Sequence, residues 1–376
     1  MLETLCVLSS LPFGLTVYNL LTWKRPVPSA REQARVSLLI PARNEAERIG
    51  PGLRAALASS SPSGVPLVRE LLVYDDDSSD ETTAIVEGIS STDPRVRLIR
   101  GGPLKAGWIG KPHACHQLFE HASSEVLVFM DADVRLEVLG LARLLEALES
   151  GADVVSAVPR QVTLTLAEQA VVSLMLVTYL SWLPLNMVER HRDPRFIAAN
   201  GQLLALRRDT AQKLRGFSAV RQALVDDVAF TRNAKRRGFR VRFADGTQMA
   251  HCRMYRSARE VWLGFSKNIA AGLGGGFMSV LLVTALYALC FVWPYFVLLD
   301  GMLNRDATNF SFGLGGVALN LALRALVAIR FRQSWASVFL HPIGTLLLIL
   351  IAWNSFRWMR QGKVAWAGRT YGEVAP

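Results

Sequence analysis

Long apolar runs leave a chain few options, because every backbone N–H and C=O inside them must be satisfied without water. This chain carries such runs at both ends. Residues 5–23 are nearly uncharged and are followed at once by Lys24 and Arg25. A cleaved leader has its positive charges before the apolar stretch and small residues after it. The reversed order here predicts a retained transmembrane helix whose C-terminal end faces the cytoplasm. Three further spans, 277–299, 310–329 and 335–356, are each long enough to cross a bilayer. The connection Arg330-Phe331-Arg332 has the charge of a cytoplasmic segment, and so does the tail with Arg357, Arg360, Lys363 and Arg369. Both placements hold only if one of the three spans is re-entrant or interfacial, and the sequence does not say which. The expectation is a multi-pass protein of the cell (inner) membrane with its central part in the cytoplasm.

The basic balance supports that reading. Formal charge is +11, from 42 Lys and Arg against 31 Asp and Glu, and much of the excess lies beside the apolar spans. No basic stripe interleaved with aromatics marks a nucleic-acid surface, so nucleic acid is not expected as a partner. Cys6, Cys115, Cys252 and Cys290 are scattered without a CxxC pair. They read as reduced or buried thiols, with neither a disulfide framework nor a zinc site.

Between the apolar ends, short strands alternate with helices. Strands are predicted at 36–40, 71–74, 96–99, 126–130 and 154–158, with helices at 46–58, 113–121, 136–148 and 228–237. Such alternation implies a parallel sheet with right-handed crossovers, and ligands bind at the carboxyl ends of its strands. Polar clusters fall there three times: after Ile40, after Tyr74 and after Met130. The last is the sharpest. The run Val126-Leu-Val-Phe-Met130 ends in Asp131-Ala132-Asp133. In an extended chain the two carboxylates would point the same way, repel each other, and call for a hard cation between them, Mg²⁺ or Mn²⁺. The plainer alternative is a loop pair capping the next helix.

Other features have competing readings. Asp75-x-Asp77-x-Ser79 has the start of a calcium loop, but Asp80 and Val86 stand where that loop needs Gly and Glu. His113 and His116 lie one helical turn apart and lack a fourth zinc ligand at plausible spacing, so they face the donor or the core. Lys105-Ala-Gly-Trp-Ile-Gly-Lys111 offers glycines for close backbone approach and lysines for an anion, or is a solvated basic loop. Asp226-Asp227 opens a helix that Gly238 stops, and an N-cap pair is the ordinary explanation. Residues 164–188 are apolar but interrupted by Glu168, Gln169 and Pro184. A crossing there would put the Asp131/Asp133 and Asp226/Asp227 pairs on opposite sides of the bilayer. This segment therefore reads as an interfacial helix or as a hydrophobic acceptor wall. Residues 253–273 read as an amphipathic basic surface segment against anionic lipid, with Arg253, Arg256, Arg259 and Lys267.

Taken in order, Pro41-Ala42-Arg43-Asn44-Glu45, Asp75-Asp76-Asp77-Ser78-Ser79-Asp80, Asp131-Ala132-Asp133 and Asp226-Asp227 resemble the signatures of family 2 inverting glycosyltransferases of the GT-A fold, over about residues 36–267. The resemblance implies an α/β nucleotide-sugar-binding domain with a mainly parallel sheet, plus N- and C-terminal transmembrane helices. Its expected parts are a helix at 1–25, the catalytic domain at 34–250, an amphipathic segment at 251–275, apolar spans at 276–356 and a basic tail at 357–376. It further implies a UDP-sugar donor. Asp76, with Asp75 beside it, would accept from the uracil edge, and Pro41, Ala42, Arg43 and Glu45 would line base and ribose. Asp131 and Asp133 would hold Mg²⁺ or Mn²⁺ with Ala132 against the donor, and Lys111 would reach the phosphates. Asp227 would be the general base with Asp226 as its neighbour, and Asn200-Gly201 would begin the acceptor-side loop. The Gly-Trp-x-Gly-Lys stretch looks like the lipid-directed branch, whose members glycosylate carotenoids, hopanoids and ceramides. The Gln-x-x-Arg-Trp motif of processive synthases is absent, since Ser257-Ala-Arg-Glu-Val261-Trp262 stands in its place. The expected activity is transfer of a hexose, glucose first, to a hydrophobic lipid. The rival readings are a processive polysaccharide synthase and a non-catalytic membrane scaffold.

Overall fold

The computed structural model describes residues 3–28 and 35–363, with the backbone alone at 365–366 and 369–370. Ser29 of the expected linker and the basic tail beyond residue 363, Arg369 included, lie outside the described side chains. The centre is one mixed sheet of eight strands in the order β3-β2-β1-β4-β7-β6-β8-β5. The strands are β1 (Val36–Ala42), β2 (Val68–Asp75), β3 (Val96–Arg100), β4 (Val126–Met130), β5 (Val134–Leu136), β6 (Val154–Gln161), β7 (Leu203–Arg207) and β8 (Val241–Cys252). Pairings β1–β2, β1–β4, β2–β3 and β6–β8 are parallel, while β7 runs antiparallel to β4 and β6, and β5 antiparallel to β8.

β1 and β4 are buried at every position, as their unbroken apolar sequences require of strands covered on both faces. Alternation then sorts their residues. Leu38, Ile40, Val128 and Met130 pack beneath the helices Ala46–Leu57 and Gly140–Glu149. Leu39, Leu127 and Phe129 face the other way and share a core with Phe291, Leu323 and Phe331 of the apolar helices. The sheet domain and the helical region thus have one continuous core. The seam is fixed at β8: the Trp23 indole donates to the Phe243 carbonyl at 2.8 Å, and Arg25 and Arg330 pair with buried Asp245 at 3.2 and 2.8 Å.

Two local expectations change. The chain does not stay extended after Met130: Val134 N–H bonds the Asp131 carbonyl at 3.1 Å, closing a turn. Val134–Leu136 then joins β8, whose twelve residues run far enough to capture it, so the helix starts at Gly140 and not at 136. The helix at the acidic pair begins at Asp226 itself.

Among the described residues, four helices are long and apolar enough to cross a membrane: Glu3–Thr22, Phe277–Asn304, Ala307–Phe331 and His341–Arg360. The second and third form a tight hairpin. Gly301 and Gly313 lie where an added Cβ would come within 2.2 and 2.3 Å of the partner helix's backbone, the close approach that small residues permit. The hairpin returns the chain to the sheet, where Arg330 meets Asp245. His341 then packs on Phe291, the Trp353 indole donates to Thr284 at 3.0 Å, and Phe356 packs on Phe277. The last helix is therefore antiparallel to Phe277–Tyr287 and ends beside that helix's start, with Ser355 accepting from Ala270 N at 3.0 Å. It thus runs from the level of Phe291 back to the start of Phe277–Tyr287.

Residues 164–188 are folded into the seam. A π-turn at Glu168–Val172 and the helix Leu174–Trp182 are pinned to the N-terminal helix, whose Asn19 donates to the Leu180 and Leu183 carbonyls at 2.8 Å each. Leu164 and Leu166, at the segment's start, remain largely exposed.

Candidate active site

The carboxyl ends of β1 and β4 open into a cavity of about 410 Å³. Pro41, Arg43, Glu45, Lys111, Asp131, Ala132, Asp133, Asp226 and Asp227 all line it, so residues far apart in sequence converge on one space. Asp131 and Asp133 reach it from a turn and not from an extended strand. The turn is held by Arg135, which donates to the Ala132 and Val134 carbonyls at 3.0 Å. The loop Asn200-Gly201-Gln202 ties both acidic pairs together. Asp131 N–H bonds the Gln202 carbonyl at 3.2 Å, and the Gly201 backbone hydrogen-bonds Asp227.

The electrostatics suit an anionic ligand with a cation. Lys111 Nζ lies 2.7 Å from Asp131 Oδ1. Burial alone would pull this lysine down, but Asp131 and Asp226 hold it well above its ordinary value. Burial raises Asp133, with the Asp131 charge adding to it, and burial raises Asp226 and Asp227 against the opposing Lys111. Glu45 is pushed up to about 7 by burial, opposed by Arg48 and helped by Asp133 and Asp131. Each of these folded values lies above that of an unfolded carboxylate, so the native state binds these protons more tightly. The metal-free protein is expected to gain stability as pH falls from about 8 to about 5. Its melting midpoint should rise over that interval, and Glu45→Gln should flatten the rise.

The residues fit a hard divalent cation. Asp133 Oδ1 is buried without a hydrogen-bond partner, the state of an oxygen kept for a metal. No cluster of three or more His, Cys, Asp or Glu suited to a metal occurs among the described residues. Two carboxylates completed by substrate phosphates is the arrangement that Mg²⁺ commonly takes.

Three expected donor contacts lie outside this lining: Ala42, Asp75 and Asp76. Asp75 is engaged internally, accepting from Ser78 N–H at 3.2 Å and the Thr83 hydroxyl at 2.8 Å. Asp76 is buried and donates its N–H to the Ala42 carbonyl at 2.8 Å, while Arg43 donates to the Asp76 and Asp77 carbonyls. His113 and His116 are aromatic neighbours of Trp108, at 5.6 and 5.0 Å between rings. Lys267, expected on a lipid-facing surface, instead lines the polar cavity, and burial lowers its pKa. The helix Ala258–Ser266 delivers it there, and its amphipathic pattern had pointed outward only because its inward partners are distant in sequence. Arg48, Met175, Tyr179 and Tyr255 also line the cavity. Only Arg48, one turn after Glu45, had a local signal.

A second cavity, also about 410 Å³ and overwhelmingly apolar, lies between the seam helices and the membrane-type helices. It reaches from Val171 and Leu183 to Val283, Leu348 and Ala352. The two cavities share Met175, Tyr179, Val225, Asp227, Phe265 and Ile269. Asp227 is therefore the carboxylate at the junction of a polar and an apolar chamber. A Cβ at Gly201 would stand 3.2 Å from the Asp227 Cβ. Gly201→Ala is expected to displace this carboxylate by a few tenths of an ångström, as a structure of the variant would show.

A mixed sheet with acids at its carboxyl edge, opening onto apolar helices, is an architecture of the GT-A type. Residues 37–215 match the family described as Glycosyl transferase family 2. The 4,4'-diaponeurosporenoate glycosyltransferase of Staphylococcus haemolyticus (strain JCSC1435) is 35% identical over 130 residues, 34% of this chain and 32% of that protein. The protein of the same name from Staphylococcus aureus (strain USA300) is 22% identical over 390 residues, covering 98% of this chain and 96% of that one. Among solved structures, a mannosyltransferase from Pyrobaculum calidifontis in complex with GDP-Man and Mn²⁺ aligns with a TM-score of 0.52 at 18% identity, over 93% of this chain and 99% of that chain.

Proposed function

We propose that this protein is a membrane-bound, metal-dependent inverting glycosyltransferase. It transfers a hexose, glucose first, from a UDP-sugar to a hydroxyl or carboxyl of a hydrophobic lipid of carotenoid, hopanoid or sphingolipid type. The observation that carries the reading is the junction at Asp227 of a charged chamber and an apolar one. The relatives named 4,4'-diaponeurosporenoate glycosyltransferase support the acceptor side of this reading. The membrane topology in this reading has the catalytic domain on the cytoplasmic side, three helices crossing and the last one re-entrant.

In this mechanism the donor's diphosphate lies near Lys111 and Lys267, and its nucleoside extends toward Arg43 and Asp76. A divalent ion held by Asp131 and Asp133 would supply further positive charge to the leaving diphosphate. Asp227 accepts the proton of an acceptor hydroxyl as that oxygen attacks the anomeric carbon from the face opposite UDP. Its raised pKa brings the base closer to neutrality. The electrons of the breaking bond pass to the phosphate oxygen, which Lys111 steadies. An acceptor carboxylate is already ionised at neutral pH, and Asp227 then serves to position it. The apolar chamber has no need to pass a polymer, which favours single-sugar addition over a processive synthase.

The test is an assay of the purified full-length protein with UDP-[¹⁴C]glucose and a long-chain carotenoid alcohol or acid. The expected result is one labelled lipid, abolished by EDTA and restored by Mn²⁺ or Mg²⁺. Long labelled polymer would instead identify a synthase. Absence of both product and UDP release would identify a scaffold.

A further inference from the structure

A third cavity, of about 390 Å³, lies behind the metal-site turn and is lined by Arg48, Arg135, Arg160, His251, Arg253 and Arg256. One carboxylate, Asp133, accompanies these five guanidinium groups. The register explains the concentration. His251 on β8 pairs with Arg135 on β5 and with Arg160 on β6, the latter just after a bulge at Pro159/Arg160. Three basic side chains thus form a row across three adjacent strands, and Arg253 follows two residues after His251 on the same side. Like charges directly opposite one another in a sheet are destabilising. Partial compensation comes from Glu168 on Arg253 at 3.0 Å, Glu47 on Arg256 at 2.6 Å and Glu137 on His251 at 3.0 Å. Arg135 has its hydrogen bonds to backbone carbonyls and not to an acid. No described residue offers the Arg160 guanidinium a hydrogen bond or an ion pair. Beside the row, the chain passes Val162 of the same lining to Leu164 and Leu166, which are 63% and 68% exposed. A basic recess therefore opens next to an apolar rim.

We infer that this recess, which adjoins the donor chamber at Arg48 and Asp133 but is centred on Arg160, His251 and Arg253 outside it, is a second phosphate-binding site, taking a lipid phosphate headgroup or free phosphate. Guanidinium forks suit phosphate oxygens in bidentate geometry, and Arg160 is the fork left open for one. The acyl part of a lipid so held would lie over Leu164 and Leu166.

The experiment uses the full-length protein in detergent micelles, with saturating UDP and Mn²⁺ so that the donor site is filled. Inorganic phosphate is titrated against chloride at constant ionic strength while the melting midpoint is followed. In parallel, protein from phosphatidylglycerol-containing nanodiscs is analysed by native mass spectrometry for retained lipid. The expected result is stabilisation by phosphate or retention of phosphatidylglycerol, weakened about tenfold or more in Arg160→Gln and substantially kept in Arg160→Lys. A phosphate response without lipid retention assigns the site to the free anion; lipid retention assigns it to the headgroup. Equal behaviour of wild type and Arg160→Gln in both arms would overturn the inference, and so would loss of the response when UDP and Mn²⁺ are present. UDP affinity of Arg160→Gln is expected to equal that of the wild type, which reports that the variant is folded. Because both readouts are binding, failure here leaves the glycosyl-transfer reading untouched, and failure of that assay leaves this one standing.

Discussion

Asp227→Asn is expected to lower turnover on an alcohol acceptor by about 10²–10⁴-fold while UDP-sugar affinity stays at the wild-type value. Asparagine keeps the shape and the hydrogen bond from the Gly201 backbone but has no basic oxygen for the acceptor proton. In the proposed reading donor binding rests on Lys111, Asp131 and Asp133, whose side chains this substitution leaves in place. Calorimetry with UDP and single-turnover kinetics separate the two effects. The same substitution tested on a carboxylic acceptor should cost much less, because no proton has to be removed. Equal losses on alcohol and acid would show that Asp227 positions the acceptor and does not act as a base. Unchanged turnover on both would remove it from the mechanism.

Ala199→Phe is expected to lower kcat/KM for the lipid by roughly a hundredfold, chiefly through KM. Ala199 is buried and lines the apolar chamber, where its carbonyl accepts from the Tyr179 hydroxyl at 2.9 Å. A phenyl ring there occupies the space of about four acceptor methylenes, and each buried methylene contributes about 0.8 kcal/mol. The loss is about 3 kcal/mol of acceptor binding, near a hundredfold at room temperature. Donor hydrolysis in the absence of lipid should be unaffected, since the polar chamber does not include residue 199. Full lipid activity in this variant would mean that the acceptor enters elsewhere.

These expectations differ in how far the sequence alone could have led to them. The acids after Met130 and before Val228 announce themselves because their pattern is local. Strand alternation and helix-start position are written in consecutive residues. Their convergence follows from the doubly wound order of the sheet, which the alternation of strands and helices also predicts. The conformation at Asp131 was not legible. An apolar strand ending in Asp-x-Asp looks extended, but the capture of Val134–Leu136 by β8 depends on a strand more than a hundred residues later. The apolar chamber was hidden for the same reason. Met175 and Tyr179 lie in a hydrophobic run whose composition suits an interfacial helix or a wall equally well. Only the anchoring of Leu174–Trp182 by Asn19 and of His341–Arg360 by Phe291 and Thr284 builds the space between them. Asp75 shows the opposite limit, because a motif aspartate whose carboxylate is already satisfied by Ser78 and Thr83 looks the same in sequence as one waiting for a base. The charges around 330–332 and in the tail bear on the orientation of the last helix, and the packing of Phe356 on Phe277, which the sequence does not announce, is what gives that helix its antiparallel course along Phe277–Tyr287.

The most direct test is a structure of the full-length Asp227→Asn protein with UDP-glucose, Mn²⁺ and a long-chain alcohol. The acceptor's hydroxyl should lie within hydrogen-bond distance of residue 227, with its chain running between Val171 and Ala352 and the sugar lying toward Asp133. An acceptor bound away from residue 227, or an apolar chamber filled by rearranged side chains while the lipid sits on another surface, would contradict the account.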